Sequence, residues 1–193
     1  MHTFFALISR MKNIARWALM RNSSPENVQE HSHMTAVLAH ALAVIRRDIY
    51  GVPCDAGAAA AAALFHDATE IFTGDMPTPM KYLNSDLTTA YKSAEHDAES
   101  RLLRQLPPEL RGSYEPLIAG GGDDVRDLVK AADKLSAYIK CLEEERAGNR
   151  EFRLAREQTR AKLDALNMPE VAYFIEHFMK PFELTIDEMN LED

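Results

Sequence analysis

The sequence predicts an all-α fold, and three observations support that prediction. Apolar residues recur at alternating steps of three and four, glycine and proline lie between such segments, and no stretch shows the apolar–polar alternation of a strand. The longest periodic segment runs from Val28 to Ile49, and Gly51 and Pro53 follow it as helix-ending residues. One face of that helix carries Val28, His31, Thr35, Leu38, Leu42, Ile45 and Ile49.

The rest of the N-terminal half is predicted as a short segment, a second helix and two loops. Residues 3–12 form a short amphipathic segment, and residues 16–25 form a connecting loop because asparagine, serine and proline interrupt them. Asp55 is the predicted N-cap of an alanine-rich helix that reaches about Asp67. The following TGDMPTP is predicted to lack regular structure because it contains a glycine and two prolines.

The C-terminal half is predicted as helices separated by breaking residues, and we expect one domain over residues 1–193 with a metal-binding core at about 28–145. The predicted segments are a helix opened by Asn84 or Ser85 that ends near Leu106, a short segment over 109–120, a helix capped by Asp123 or Asp124 that ends at Gly148, and helices over 151–166 and 169–178.

Composition and charge narrow the classes of function. The chain has 193 residues, of which 46% are hydrophobic and 27% are charged, and this suits a globular protein with one sizeable core. The net charge of -8 disfavours binding to a nucleic-acid polymer, which needs clustered cations. A small phosphate substrate is still compatible with this charge, because a metal or an arginine can reverse the sign within one site.

The expected location is the cytoplasm. Cys54 and Cys141 form no CxxC or disulfide-rich pattern, so we expect reduced thiols. Arg10, Lys12 and Arg16 interrupt the N-terminal apolar segment, which therefore does not read as a signal peptide. No run of about 18 apolar residues is present, so no membrane span is expected.

Ionisable residues occupy three positions where a structural helix does not need them. His31 lies on the apolar stripe, His66 and Asp67 end the alanine-rich helix, and Asp133 lies at the flank of a later stripe. Taken singly, they could be a hydrogen-bonded core histidine, solvated helix-end charges and one partner of a salt bridge. The cations available to Asp133 for such a salt bridge are Lys130 and Lys134 on the same predicted helix.

If these residues meet, they suit a metal site. Two imidazoles and two carboxylates are ligands for a first-row divalent cation, with Mg²⁺ as the harder alternative. Four ligands leave two octahedral positions for water and substrate, and metal-bound water is a nucleophile at neutral pH. Glu70, four residues after His66, could then act as a general acid or base.

The order H…HD…D of these residues resembles the motif of HD-domain phosphohydrolases. Longer segments are similar to the bacterial HD-domain 5′-deoxynucleotidases of the YfbR type, and with the tail YFIEHFMKPFELTIDE they cover nearly the whole chain. The resemblance implies a single HD-domain helical bundle. The segments are RWALMRNSSPENVQEHS, FHDATEIFTGDMPTPMKY and VKAADKLSAYIKCLEE.

The resemblance also implies an activity and a set of site residues. The implied enzyme is a cytoplasmic homodimer that removes the 5′-phosphate from deoxyribonucleoside 5′-monophosphates with one divalent cation of the Co²⁺, Mn²⁺ or Mg²⁺ class. The implied metal ligands are His31, His66, Asp67 and Asp133, and the implied catalytic residues are Glu70, as acid or base, and Asp67. The implied substrate contacts are Arg16, Trp17, Asp67, Asp75, Met76, Pro77 and Thr78.

One position departs from the family pattern, and several readings stay open. Ala18 stands where the family has a proline after the tryptophan, which could weaken selection of deoxyribose. From the residues alone, Trp17 could be only a hydrophobic anchor and Asp75 only a turn residue. The alternative functions are hydrolysis of another nucleotide phosphate bond, in a cyclic nucleotide or a triphosphate, and a non-enzymatic helical binding module.

Overall fold

The computed structural model describes residues 1–81 and 83–189 and confirms the all-α fold. Across those ranges no strand is present apart from one isolated antiparallel bridge between Ala15 and Asn27. In chain order the helices are α1 (Phe4–Ile8), α2 (Val28–Asp48), α3 (Ala56–Phe65), α4 (Glu70–Thr73), α5 (Thr78–Lys81), α6 (Ser85–Leu103), α7 (Pro108–Ile118), α8 (Arg126–Arg146), α9 (Arg153–Asp164) and α10 (Pro169–Phe178).

Helix α2 lies at the centre of the main core and packs against α3, α8 and α10. Its first turn is held by a capping box, in which Asn27 accepts from the Glu30 backbone N–H and Glu30 accepts from the Asn27 N–H. The predicted stripe is buried except for Ile49, which is 52% exposed because the helix ends at Asp48.

The alanine-rich helix α3 packs closely on α2 through methyl groups. Ala59, Ala62 and Ala63 are fully buried, and so are Ala39 and Ala43 of α2. Small side chains on both surfaces allow the two backbones to approach each other, and this proximity sets the distance between the functional groups that the two helices carry.

A second cluster holds the N-terminal segment on the body of the protein. Phe4 of α1 and Met11 of the following 3₁₀ turn are buried against Leu102, Leu106 and Ile118 of the α6–α7 region. The chain then passes beside the start of α2, where Val28 donates its N–H to the Ile14 carbonyl. This pairing fixes the residues between them, which include the predicted substrate-binding segment.

Two local predictions are wrong, those for TGDMPTP and for the cap of α8, and the short segment predicted over 109–120 is largely the 11-residue helix α7. The segment TGDMPTP contains the start of α5, since prolines are tolerated in the first turn of a helix, where no intrahelical N–H bond is needed. Neither Asp123 nor Asp124 caps α8: the N-cap is Val125, and Asp123 pairs with Arg126 instead.

The other helix predictions agree with the structure to within a few residues. Asn84 caps α6 by accepting from the Leu87 N–H, and α10 spans Pro169–Phe178 as expected. Gly148, with φ of 85°, follows the end of α8. Among the helices of residues 1–81 and 83–189, none has the length and apolar character that crossing a membrane requires.

Candidate active site

Three predicted metal ligands come together from three parts of the chain. His31 lies on α2, His66 follows the last residue of α3, and Asp133 lies on α8. One ligand atom from each lies within 4.8 Å of the other two. The imidazole rings of His31 and His66 have their centroids 5.3 Å apart, a consequence of the close packing of α2 on α3.

Hydrogen bonds at the far side of each ring orient the two histidines. His66 Nδ1 donates to the Ala63 carbonyl at 2.7 Å, so in the neutral ring Nε2 keeps a free lone pair. His31 Nδ1 lies 3.0 Å from Ser136 Oγ, and a proton given to that hydroxyl likewise leaves Nε2 as the acceptor. Such outer hydrogen bonds are typical of metal-binding histidines.

Asp67 and Asp133 supply the negative charge of the site. Asp67 Oδ2 lies 3.1 Å from His66 Nε2 and 3.6 Å from His31 Nε2, and Asp133 Oδ1 lies 3.1 Å from His31 Nε2. Burial lowers the pKa of His66, but Asp67 and Asp133 outweigh it and raise that pKa to about 9. Burial raises the pKa of both carboxyl groups, and the histidines reverse this and lower it. The cluster thus favours positive charge at its centre.

The donor set fits a divalent cation. Within the described ranges, His66 Nε2 is a buried polar atom that makes no hydrogen bond, although Asp67 Oδ2 lies 3.1 Å away. A buried ring nitrogen without a hydrogen bond is costly unless something binds it, and a cation bound there would replace the proton that Asp67 and Asp133 favour. With His31 fully buried and Asp133 at 40% side-chain exposure, the cluster is closed on one side and reachable from the other.

Glu70 begins α4, one short turn after the histidine–aspartate pair. Its Oε2 is buried and, among residues that the structure describes, has no hydrogen-bond partner. Burial raises the pKa of Glu70 to about 9, and the neighbouring Asp67 and Asp75 carboxylates add to the rise. At neutral pH this arrangement favours the protonated carboxyl group, which can donate a proton.

The Arg16–Trp17 segment lies beside the cluster. Arg16 Nη1 is 3.5 Å from Asp67 Oδ2, and the Arg16 side chain is largely buried. Trp17 is half-buried with its ring 5.3 Å from that of Phe152, so it is also an anchor, as one reading of the sequence allowed. Its φ is 56°, a conformation that costs of order 1–3 kcal/mol for a bulky side chain.

The predicted nucleotide-binding loop reaches the same place. Burial raises the pKa of Asp75, and the nearby Arg16 guanidinium and Trp17 backbone partly oppose that rise, so Asp75 lies near the Arg16–Trp17 segment. Met76 and Pro77 are half-buried beside it in sequence. Thr78 is the first residue of α5, but its side chain lies outside the described part of the protein.

Two residues that support the site were not predicted. Ser136 orients His31 and lies three residues after Asp133 on α8, so its helical spacing could have indicated it. Glu26 accepts hydrogen bonds from both Arg16 and Trp17, and no local pattern indicates that contact. Asp133 pairs with His31 and not with the lysines beside it, and the Lys134 ammonium donates to the Lys130 carbonyl.

Comparison with known proteins gives full-length matches. The sequence profile described as 5′-deoxynucleotidase YfbR-like matches residues 3–182. The 5′-deoxynucleotidase YfbR of Escherichia coli is 47% identical over 189 residues, which are 97% of this chain and 95% of that protein.

Solved structures share the fold. A crystal structure of an HD-domain phosphohydrolase from Listeria innocua superposes with a TM-score of 0.81 at 23% identity, covering 93% of this chain and 88% of that one. The cyanophage S-2L HD phosphohydrolase DatZ, described as bound to dA and one catalytic Zn²⁺ ion, gives 0.61 at 24% identity over 91% and 95% of the two chains. On the sequence matches, this chain belongs to the YfbR-like 5′-deoxynucleotidase family.

Proposed function

We propose that the protein is a metal-dependent 5′-deoxynucleotidase that hydrolyses deoxyribonucleoside 5′-monophosphates to a deoxyribonucleoside and phosphate. The observation that carries the proposal is the convergence of His31, His66 and Asp133 within 4.8 Å, with a buried imidazole nitrogen left for a ligand. The relatives named 5′-deoxynucleotidase, at 47% identity over almost the whole chain, support the substrate class.

His31, His66, Asp67 and Asp133 are the proposed metal ligands, the histidines through Nε2 and the acids through carboxylate oxygens. A bound divalent cation polarises a phosphoryl oxygen and lowers the pKa of a bound water. Co²⁺, Mn²⁺ and Mg²⁺ are the expected ions. Zn²⁺ joins them as a candidate, because it also accepts imidazole and carboxylate ligands.

Glu70 is the proposed acid–base residue. Hydrolysis breaks the bond between phosphorus and the 5′-oxygen, and that oxygen must gain a proton as it leaves. A buried carboxyl group whose pKa is about 9 carries such a proton at neutral pH. The pKa of Asp67 is lowered instead, so this neighbouring carboxylate stays ionised and cannot serve as a proton donor.

The proposed substrate contacts surround the metal ligands. Arg16 is a cation within 3.5 Å of Asp67 and can pair with the substrate phosphate. Trp17 offers a rigid aromatic edge that an additional 2′-hydroxyl would meet. Asp75 can accept from a sugar hydroxyl, and residues 76–78 follow it along the loop. Ala18 directly follows Trp17 and is exposed, and in place of the family's proline it is proposed to weaken the selection of deoxyribose.

The remaining expectations are also proposals. A single domain over residues 1–193 agrees with one main core that joins α2, α3, α8 and α10. From the family resemblance, the protein is also proposed to form a homodimer and to be located in the cytoplasm. Sedimentation of the purified protein would test the assembly.

The deciding experiment measures phosphate release from paired deoxy- and ribonucleoside 5′-monophosphates. The protein is stripped with EDTA, and Co²⁺, Mn²⁺, Mg²⁺ or Zn²⁺ is added back separately. We expect release only with added metal, and much faster release from the deoxy substrates.

Each other outcome points elsewhere. Equal rates on both sugars would keep the phosphatase and remove the proposed role of Trp17 in sugar selection. Release only from cyclic nucleotides or triphosphates would replace the substrate class. Full activity after complete removal of metal would contradict the metal mechanism, and no activity with any metal or substrate would favour a binding module.

A further inference from the structure

The Arg16–Trp17 segment is held in a conformation that the local chain does not favour. Trp17 has φ of 56°, in the left-handed region that bulky side chains avoid. A strained residue persists where surrounding contacts determine it, and such residues concentrate at functional sites. The contacts that hold this segment therefore matter for whatever Arg16 and Trp17 do.

Glu26 makes the side-chain contact that the two residues share. Its Oε2 atom accepts from Arg16 Nε at 3.1 Å and from Trp17 Nε1 at 3.1 Å. The Glu26 carbonyl also accepts from the Arg16 backbone N–H at 3.0 Å. With 15% of its side chain exposed, Glu26 is shielded from competing water, so both side-chain bonds are effective.

The contacts leave defined parts of each side chain available. Glu26 holds the Nε side of the Arg16 guanidinium, while Nη1 lies 3.5 Å from Asp67 of the metal cluster. The indole is held at its N–H edge by Glu26 and packs against Phe152, with ring centroids 5.3 Å apart. One carboxylate thus fixes the direction of the cation and the rotation of the ring together.

We propose that Glu26 is a specificity-determining positioning residue. It acts on the nucleotide only through Arg16 and Trp17, by setting the orientation in which the ring meets the sugar and the guanidinium meets the phosphate. This inference rests on the proposed function. A loosened indole can turn away from a 2′-hydroxyl, so loss of Glu26 lowers discrimination between the two sugars more than it lowers turnover of the deoxy substrate.

The test uses Glu26→Gln and Glu26→Ala in the full chain, with Glu176→Gln, an exposed glutamate of α10, as the matched control. Three quantities are measured: the ratio of kcat/KM for deoxy and ribo substrates, the metal content, and the fluorescence of Trp17. Because the chain has one tryptophan, its emission reports on this segment alone.

For Glu26→Ala we expect the deoxy/ribo ratio to fall by roughly tenfold or more, a size typical of losing steric discrimination by one group. Metal content stays at the wild-type level, and the tryptophan emission shifts to the red with easier quenching by acrylamide. Glu26→Gln keeps one acceptor oxygen, so its change is smaller in the same direction. Glu176→Gln matches the wild type.

The inference would be overturned by a ratio and an emission spectrum that stay unchanged in both variants. It would also be overturned if Glu26→Gln, nearly isosteric and folded, lost activity on both sugars in equal proportion, since that is a purely structural effect. If the wild-type enzyme is active but does not distinguish the two sugars, the inference about Glu26 fails while the proposed phosphatase activity stands. A wild type inactive on every nucleotide overturns the proposed function with it.

Discussion

Two buried polar clusters lie along helix α8, and they use their hydrogen-bonding capacity differently. Near the end of the helix, the Glu144 carboxylate is 1% exposed and accepts from the Ser23 N–H at 2.8 Å, the Ser24 N–H at 3.1 Å, Asn149 Nδ2 at 2.7 Å and the Lys140 ammonium. Three turns earlier, the active-site cluster includes His66 Nε2 and Glu70 Oε2, which have no partner among residues 1–81 and 83–189.

The difference separates stability from function. A cluster in which each buried group is satisfied has no capacity left for a ligand, and it holds the 21–25 loop on α8. A cluster with unpaired buried polar atoms costs folding free energy, and under the proposed function a metal and a substrate use those atoms. Substitutions in the two clusters should therefore affect different observables.

The largest expected effect is on activity, from His66→Ala. Loss of a metal ligand should lower phosphate release on the order of a thousandfold, because metal assistance contributes several kcal/mol to the transition state. Metal content by atomic emission should fall with it, while the far-UV circular dichroism of the metal-free protein should keep the helical spectrum of the wild type. His96→Ala, at a histidine whose side chain is 79% exposed on α6, is the control and should change none of these. A metal-replete and active His66→Ala would end the proposed ligand role.

The next effect is on stability, from Glu144→Ala. It leaves the buried Lys140 ammonium without its anion and two backbone N–H groups without an acceptor, so we expect a loss of about 3–5 kcal/mol in the free energy of unfolding. Urea denaturation of metal-free protein measures it. The exposed pair of Arg153 and Glu157 gives the contrast, since Glu157→Ala should cost less than about 1 kcal/mol. Equal losses in the two variants would contradict the comparison.

The smallest effect is a pH dependence of stability. Burial raises the pKa of Glu144, but Lys140, Asn149 and the two serine amides outweigh it and lower the pKa from 4.5 to about 2. The ionised group therefore stabilises the fold fully above pH 4.5, and this contribution is lost as the pH falls towards 2. Glu144→Gln should flatten the unfolding free energy across that window. A variant curve parallel to the wild-type curve would refute the assignment.

Much of this architecture was predictable from local pattern, and the exceptions have physical reasons. The spacing of apolar residues gave α2 and α10 nearly to the residue, and the ionisable end of α3 indicated the site. Helix α5 was missed because prolines in a first turn read as breakers, although they cost nothing there. The cap of α8 was missed because Asp123 pairs with Arg126 rather than with the helix N-terminus.

Contacts between distant segments were beyond sequence reasoning. Lys140 and Glu144 are four residues apart and read as an ordinary surface pair. They are buried because the 21–25 loop folds over them and Phe152 and Asn149 pack beside them. Glu26 lies within the family-like segment RWALMRNSSPENVQEHS, but its contact with Arg16 and Trp17 depends on the chain pairing beside the start of α2.

The alanines of α3 have a consequence for how this enzyme can change over time. The distance between the two imidazoles depends on how closely α3 packs on α2, and the buried Ala59, Ala62 and Ala63 allow that close approach. Gly121 extends the same restriction, because a methyl group on it would lie 3.1 Å from the Ala62 side chain. The alanine-rich stretch therefore sets a distance in the proposed catalytic centre, and one added carbon there would change the separation of His31 and His66.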